Sequence, residues 1–275
     1  MNNTNQTIII NNITDLNLDD TLNCGQCFRW NKNEDNSFTG TVKNKTVTVN
    51  IIDNSLHIYN STQTDFDSIW KDYFDLDRNY REIRENLSLI HPILKEASST
   101  YKGIRILKQE PFEALCSFII SQNNNIPRIK GIIQKLCRNF GEFNGINYSF
   151  PKAENIACQT IDSLDIIKSG FRAKYLIDAA TKIANNEINL EQVKVMPIDD
   201  AKSELMKIKG VGPKVADCVL LYGMNRLSCF PLDVWMKRAM EILFKELNVE
   251  DFGEYAGIAQ QYIFHYSRMN PHLFK

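Results

Sequence analysis

Short runs of β-branched and aromatic residues dominate the part of the chain before residue 60. Five runs stand out, and segments rich in Asn, Asp and Lys separate them: residues 8–10, 27–30, 38–42, 46–52 and 56–59. Runs of this composition divided by turn-forming residues are typical of strands that follow one another in a sheet. The pattern therefore predicts an antiparallel meander between Thr7 and Tyr59.

After this region the apolar residues recur with the period of a helix. Asp65 and Asp77 are the residues that we expect to cap the first two helices, and Pro92 marks the start of another. Further helices are predicted up to the end of the chain. The whole pattern favours an α+β protein, with an N-terminal antiparallel β-sheet domain and flanking helices in residues 1–100. This domain should pack on a larger all-helical body in residues 101–275.

Residues 111–122 are apolar on almost every side, which indicates a helix buried at the centre of the helical body. The three asparagines at 123–125 should end this helix before a basic helix begins at Ile126. The last helix is predicted at residues 253–269.

A glycine turn between two short helices lies at residues 199–240. The first helix should stop at Gly210, and the second should run from Pro213 to about Met224. We expect Gly210 and Gly212 to adopt backbone angles that other residues avoid, which would leave the hairpin amides free. Free amides at a helix start attract phosphate, so this helix-hairpin-helix is a candidate nucleic-acid contact.

Lys214 and Asp233 are the candidate reactive groups beside this turn. Lys214 lies in the first turn of the second helix, and Asp233 precedes another apolar-periodic run as its expected N-cap. The intervening chain is long enough to return Asp233 to the level of Lys214. A lysine nucleophile must lose its proton, and we expect burial to favour this more than the helix dipole can. An amine and a carboxylate placed in this way can attack a sugar carbon of nucleic acid.

Composition and charge fit a globular protein with a local basic surface. The chain has 275 residues, 43% of them hydrophobic, and a formal net charge of −1. That net charge does not favour nucleic-acid binding, but residues 101–138 hold seven basic residues against two glutamates, a local charge of +5. This segment could contact phosphates or form an ordinary solvated helical face.

The sequence shows no membrane segment or signal peptide. No apolar run reaches about 18 residues, and the first residues lack a basic and a hydrophobic segment. Seven cysteines with irregular spacing suit reduced thiols better than a disulfide framework. We therefore expect an intracellular monomer, cytoplasmic or associated with the nucleoid, without structural disulfides.

The hairpin region resembles the helix-hairpin-helix DNA glycosylases that carry a lysine, and the rest of the chain is similar to their 8-oxoguanine DNA glycosylase/AP lyase branch. The N-terminal motif of that branch matches Gly25-Gln26-Cys27-Phe28-Arg29-Trp30. The resemblance implies that Lys214 attacks C1′ of the damaged nucleotide, forms a Schiff base and permits β-elimination. It implies that Asp233 stabilises the developing positive charge on the sugar.

The resemblance also implies a pocket for an extruded base. Gly25 would supply a backbone carbonyl that accepts the N7 hydrogen of 8-oxoguanine, which guanine lacks. Cys218 and Phe264 would enclose the base between them, and Gln260 would bind its Watson-Crick edge.

Five further residues correspond to positions that contact the duplex. Asn123 would fill the gap left by the extruded base, and Arg128 and Arg172 would read the unpaired cytosine. Phe171 stands where the family often has a tyrosine, and Trp235 stands where many relatives have histidine. The strictness of opposite-base selection and one phosphate contact are therefore open.

No metal or organic cofactor is expected. The single Cys24-x-x-Cys27 pair lacks a second pair, and the four histidines show no ligand spacing. No cysteine follows Cys229, so we expect no C-terminal iron-sulfur cluster of the endonuclease III type. Two alternatives stay open. The chain could be a lysine-bearing glycosylase for another damaged purine, or a DNA-binding scaffold without catalytic activity.

Overall fold

Five antiparallel strands form the sheet of this protein, whose computed structural model describes residues 6–274. The strands are β1 (Thr7–Ile10), β2 (Trp30–Lys32), β3 (Phe38–Val42), β4 (Lys45–Ile52) and β5 (Ser55–Tyr59). Their order in the sheet is β1-β5-β4-β3-β2. The predicted sheet is confirmed, with β2 to β5 as the meander and β1 paired to β5 through the Ile9 and His57 register.

The predicted strand at residues 27–30 is wrong for residues 27–29, because only Trp30 belongs to β2. Here the chain bonds to the helical body instead of a neighbouring strand. Arg29 forms an ion pair with Glu113 at 3.1 Å and also donates to the carbonyl of Tyr148.

A short helix that the pattern did not predict, α1 (Leu18–Asn23), lies between β1 and β2. Asn17 caps it by accepting a hydrogen bond from the amide of Asp20 at 3.1 Å. An Asn cap with acidic residues in the first turn was the available signal.

Four helices connect the sheet to the larger body: α2 (Gln63–Asp65), continued by a π turn at Phe66–Trp70 and by α3 (Lys71–Tyr73), then α4 (Tyr80–Ser88) and α5 (Pro92–Thr100). The start at Pro92 is confirmed, but the expected caps Asp65 and Asp77 are wrong. Thr62 caps α2, and Asp65 is its capping-box partner three residues later. Asn79 caps α4 through the amide of Glu82. In each case a better-placed side chain accepts the orphan amide.

Up to residue 274, where the described chain ends, the body has nine α-helices: α6 (Pro111–Ser121), α7 (Ile126–Phe140), α8 (Ala153–Ala157), α9 (Ala173–Ala184), α10 (Leu190–Val195), α11 (Ile198–Met206), α12 (Pro213–Cys218), α13 (Val234–Leu243) and α14 (Ala256–Met269). A π turn at Val219–Gly223 continues α12, and 3-10 helices lie at Ser163–Ile167, Gly170–Arg172, Val249–Tyr255 and Pro271–Phe274. None of the helices in residues 6–274 is both long and apolar enough to cross a bilayer.

The central helix is α6, as predicted. All seven residues from Ala114 to Ile120 are buried, and five of them belong to the hydrophobic core of the body: Leu115, Cys116, Phe118, Ile119 and Ile120. The predicted start of the last helix at residue 253 is wrong. Gly253 has a φ of 64°, which interrupts the helical path, and α14 begins at Ala256.

Two hydrophobic cores lie side by side in the described chain. Trp30, Trp70 and Phe74 belong to the core beneath the sheet, whereas Ile83 and Leu94 of α4 and α5 belong to the core of the body. The chain therefore passes between the two cores more than once. The proposed boundary at residue 100 stays a prediction.

Gln26 joins the two parts where they meet. Its side chain is fully buried, and its Nε2 donates to the carbonyls of Arg105 at 2.7 Å and Thr21 at 3.0 Å. Its Oε1 accepts the amide of Leu107 at 2.9 Å, and its own carbonyl accepts from the Gln109 side chain at 2.7 Å. These bonds fix the position of the neighbouring Gly25 relative to the body.

Replacing Gln26 by Leu should therefore destabilise the fold. The substitution leaves a buried amide and buried carbonyls without partners, which should lower the free energy of unfolding by about 2 to 4 kcal/mol. Urea denaturation measures this change. Gln192→Leu on the exposed face of α10 is the control and should cost about 0.5 kcal/mol or less. Equal losses in the two variants would contradict the role given to Gln26.

Candidate active site and DNA-binding surface

The hairpin between α11 and α12 occupies residues 207–212. Its first helix ends at Met206, so the predicted end at Gly210 is wrong by one turn. The amide of Val211 donates to the carbonyl of Ile208 at 3.0 Å. Residues 208–211 therefore form a turn where the helix was predicted to continue.

Only one of the two hairpin glycines has the expected unusual backbone. Gly210 has a φ of 82°, and a Cβ there would lie 2.4 Å from the ring of Tyr175. Gly212 has a φ of −105°, an extended conformation open to other residues, so the expectation for Gly212 is wrong. The close approach of Tyr175 and the left-handed φ both require glycine at position 210.

Asp178 of α9 holds the hairpin against the body. Its carboxylate accepts the backbone amide of Lys209 at 2.8 Å and the Lys182 ammonium at 2.6 Å. Burial opposes ionisation of this carboxyl, but these donors and their charges overcome it, and the pKa of Asp178 is lowered. The Lys209 amide is thus occupied, whereas the amides of Gly210 and Gly212 have no hydrogen-bond partner within residues 6–274. Sequence reasoning missed Asp178, whose local signal is only its spacing to Lys182.

Lys214 and Asp233 face the same cavity. Pro213 opens α12, and Asp233 caps α13 as predicted, with its Oδ1 accepting the amide of Met236 at 2.8 Å. Both side chains are half-buried and line a cavity of about 320 Å³, which we call the outer cavity. Lys214 Nζ lies 5.4 Å from the centroid of the Phe118 ring, on the central helix α6. The structure therefore brings the predicted amine and carboxylate to one site.

A narrower inner chamber continues from the outer cavity and has a volume of about 40 Å³. Its lining includes all six residues predicted for catalysis and base binding: Gly25, Lys214, Cys218, Asp233, Gln260 and Phe264. Such a chamber holds only a few water molecules. It must widen before a base can enter.

Gly25 and Gln260 are uncharged polar residues in the lining of the inner chamber. Gly25 has a φ of 90°, and its carbonyl has no donor among the described residues. The flanking carbonyl of Cys24, by contrast, accepts from Gln261 at 3.3 Å. Gln260 is buried and donates to the carbonyl of Pro231 at 3.3 Å, which orients its amide. An unpaired carbonyl and an oriented amide are suited to hydrogen-bond a flat polar ligand.

Another cavity, of about 530 Å³, is larger than the outer cavity but contains none of the residues predicted for catalysis or base binding. Lys43, Phe112 and Glu113 are among its lining residues, and it shares none of them with the outer cavity. Volume alone therefore does not identify the site, and the convergence of reactive groups does.

Comparison with known proteins assigns the whole described architecture to one family. Residues 8–115 match the model of the 8-oxoguanine DNA glycosylase N-terminal domain, and residues 116–250 match the HhH-GPD superfamily of base excision DNA repair proteins. The structure of MBOgg1 in complex with a low-affinity DNA ligand superposes with a TM-score of 0.92 at 44% identity, covering 98% of both chains.

The chain belongs to the 8-oxoguanine DNA glycosylase family.

Two further relatives extend this result. The apo form of Clostridium acetobutylicum 8-oxoguanine glycosylase/lyase has a TM-score of 0.90 at 41% identity, covering 95% of this chain and 97% of its own. The same relative has been solved with double-stranded DNA containing cytosine opposite 8-oxoguanine. The Saccharomyces cerevisiae N-glycosylase/DNA lyase is 39% identical over 183 residues, 60% of this chain. That match spans 48% of the yeast protein, about half of its length.

Six of the seven cysteines of this family member are buried, and Cys158 is exposed. Burial raises the pKa of Cys218 to about 11, although the nearby Lys214 charge lowers it in part. Burial likewise raises the pKa of Cys24 to about 12, and its thiol donates to the carbonyl of Thr21 at 3.1 Å. All seven cysteines are free, and within residues 6–274 no group of His, Cys, Asp and Glu side chains is arranged to hold a metal.

Three asparagines at residues 123–125 follow α6 and form what we call the asparagine loop. This loop carries part of the predicted DNA surface of this glycosylase family member. Asn123 is exposed with a φ of 47°, and Arg128 is exposed in the first turn of α7. Phe171 is 53% exposed, and Trp235 lines the outer cavity with its ring 5.9 Å from that of Phe274. These four side chains are accessible to a ligand.

Arg172 differs from the other predicted DNA contacts because it is only 3% exposed. Its guanidinium donates to the carbonyls of Gln122 and Asn123 at 3.0 Å each and of Ser169 at 3.1 Å. The structure thus separates the predicted pair: Arg128 is accessible, and Arg172 supports the loop from beneath.

Asp178→Ala tests whether this carboxylate positions the hairpin. Removing a negative charge alone should favour binding to a polyanion, whereas releasing the Lys209 amide should weaken binding about tenfold. Fluorescence anisotropy with an undamaged duplex measures the affinity. Asp178→Asn keeps an acceptor for the amide and should lose less.

Asp162→Ala is the matched control, because the exposed Asp162 side chain makes no capping bond. This variant should bind DNA as tightly as the wild type or slightly more tightly. If Asp178→Ala behaved in the same way, Asp178 would have no part in holding the hairpin.

Proposed function

We propose that this protein excises 8-oxoguanine from duplex DNA and then cleaves the strand at the abasic site. The observation that carries the proposal is the convergence of Lys214 and Asp233 on one cavity beside a hairpin with free amides. Membership of the 8-oxoguanine DNA glycosylase family supports it. No metal or organic cofactor takes part.

Lys214 is the nucleophile in this proposal. Its amine attacks C1′, the new C–N bond forms as the bond from C1′ to the base breaks, and the base leaves with a proton. Ring opening gives a Schiff base, and loss of a 2′ proton then permits elimination of the 3′ phosphate. Lys214 is half-buried in the free protein, and DNA that covers the outer cavity excludes the remaining water from the reacting atoms.

Asp233 supplies a carboxylate that cannot turn away from the sugar. The N-cap bond to Met236 uses Oδ1, and Oδ2 has no hydrogen-bond partner among the described residues. A fixed negative charge beside C1′ stabilises the positive charge that develops as the base departs. The carboxylate can also accept the proton of Lys214.

Recognition of the base follows from the inner chamber. The Gly25 carbonyl accepts the N7 hydrogen of 8-oxoguanine. With guanine it would face a lone pair and remain unsatisfied, at a cost of about 1 to 3 kcal/mol. Gln260 binds the Watson-Crick edge, and the base lies between Cys218 and Phe264. Cys218 is buried and Phe264 half-buried, so we assign the widening of the chamber to Phe264.

The duplex lies across the hairpin and the asparagine loop. The amides of Gly210 and Gly212 bind phosphate, Asn123 fills the gap left by the base, and Phe171 and Trp235 contact the DNA beside it. Arg128 approaches the opposite base, while Arg172 holds the loop through its carbonyl bonds. We further propose that the protein acts as an intracellular monomer on double-stranded DNA containing oxidised guanine, in the cytoplasm or at the nucleoid.

Borohydride trapping tests the reaction. The wild type should become covalently linked to a duplex containing 8-oxoguanine, and Lys214→Gln should bind the same duplex without linking. Lys237→Gln, an exposed lysine on α13, is the control and should link as the wild type does. Equal linking by Lys214→Gln would discredit the proposal, and absence of linking by the wild type would favour a non-catalytic scaffold.

Asp233→Asn separates the charge of this residue from its capping role. Asn is as good an N-cap as Asp, so the fold should be retained. Loss of the negative charge should slow single-turnover excision by about 10²- to 10³-fold, the range seen when one transition-state contact is removed. An unchanged rate would show that the carboxylate acts only as a cap.

A further inference from the structure

Arg268 lies on the rim of the outer cavity and has no role in the site described so far. It belongs to the last turn of α14, and its guanidinium lies 5.5 Å from the centroid of the Phe264 ring one turn before it. A Cβ on Gly25 would lie 3.9 Å from one of its terminal nitrogens. Arg268 thus lies close to Gly25 and Phe264, two residues that line both the outer cavity and the inner chamber.

No carboxylate pairs with this guanidinium within the described part of the chain. Other arginines close to the sheet have such partners, among them Arg29 with Glu113 at 3.1 Å and Arg84 with Asp15 at 2.8 Å. Arg268 is exposed, and neither an ion pair nor a hydrogen bond from its side chain is present in residues 6–274. The side chain keeps all its donors for a ligand.

One positive group among the charged residues that line the outer cavity is not used by the proposed reaction. Lys214, Arg268 and Asp233 are the charged residues of its lining, which gives a local excess of one positive charge. Lys214 and Asp233 act on the sugar in the proposed reaction. An unpaired guanidinium on the rim of such a cavity favours an anion with a planar arrangement of acceptors.

We propose that Arg268 binds a phosphate of the damaged strand next to the extruded nucleotide. This inference rests on the proposed function, because a nucleotide that enters the cavity carries its flanking phosphates to the rim. The guanidinium donates to two phosphate oxygens while its stem packs against Phe264. Arg268 is therefore a positioning residue that fixes the nucleotide backbone while the base lies in the inner chamber.

The test measures binding in the absence of chemistry. All variants carry Lys214→Gln, and the ligands are 8-oxoguanine duplexes in which one phosphate flanking the lesion at a time is replaced by a neutral methylphosphonate. Arg268→Leu should weaken binding of the unmodified duplex about tenfold. It should also reduce the slope of log affinity against log salt by about one.

One methylphosphonate position should weaken binding to the Lys214→Gln protein by a similar factor and leave binding to the Arg268→Leu variant unchanged. Non-additivity of this kind identifies the contacted phosphate. If the two changes multiplied at every flanking position, the proposed contact would be absent, and Arg268 would act on Phe264 alone.

Two further variants complete the experiment. Arg81→Leu removes one positive charge from an exposed arginine of α4 that pairs with Glu85, and it should change affinity by no more than about twofold. Arg268→Lys keeps the charge but lacks the planar guanidinium that donates two parallel hydrogen bonds. This variant should keep the slope of log affinity against log salt and recover part of the affinity. Equal binding by Arg268→Leu and Arg81→Leu would overturn the proposal.

Failure of the reaction and failure of this contact are distinguishable. A wild type that does not excise 8-oxoguanine would refute the proposed function, yet the methylphosphonate series would still show whether Arg268 meets a phosphate. Conversely, excision with fully additive effects would refute only the contact.

Discussion

Two helices, α12 and α13, begin at the same cavity, and the proposed chemistry of the protein depends on this arrangement. A helix start presents unpaired amides, and here each start is completed in a way that serves the site. Pro213 has no amide to satisfy, and the hairpin before it leaves the amides of Gly210 and Gly212 open. Asp233 satisfies the amide of Met236, so the bond that begins α13 also fixes the carboxylate beside Lys214. One hydrogen bond thus both starts the helix and orients the candidate catalytic carboxylate.

The sheet domain supplies the second half of the pocket. Its contribution depends on buried hydrogen bonds. Gln26 is fully buried, and its side chain forms hydrogen bonds where the sheet domain meets the helical body. The neighbouring Gly25 can then present its carbonyl to the inner chamber with little freedom to move. The proposed discrimination between 8-oxoguanine and guanine by this one acceptor requires such rigidity, because a mobile carbonyl could turn away from the lone pair of guanine.

Sequence signals correctly predicted the elements that depend on neighbouring residues of the chain, such as helix starts and a continuous apolar helix. Pro92, Pro213 and Asp233 begin helices as expected, and the apolar run at residues 111–122 is the buried central helix. The errors have two causes. Residues 27–29 leave the strand for bonds to the body, which is a tertiary contact. Thr62 and Asn79 replace the expected caps for a local reason, because each lies three residues before the amide that it accepts. The lining of the pocket was predictable through the family motif. Two supporting contacts were not, because the contact of Asp178 with Lys209 joins residues 31 positions apart and that of Arg172 with Gln122 joins residues 50 positions apart. Neither contact has a periodic signal in the sequence.

The position of the covalent bond between protein and DNA is the most direct test of whether the chemistry occurs between the starts of α12 and α13. The complex reduced with borohydride on an 8-oxoguanine duplex can be digested with trypsin and sequenced by mass spectrometry. Lys214 should carry a single deoxyribose remnant on its ε-nitrogen. A remnant on any other amine, or a mixture spread over several lysines, would show that the cavity between the two helix starts is not where the chemistry occurs.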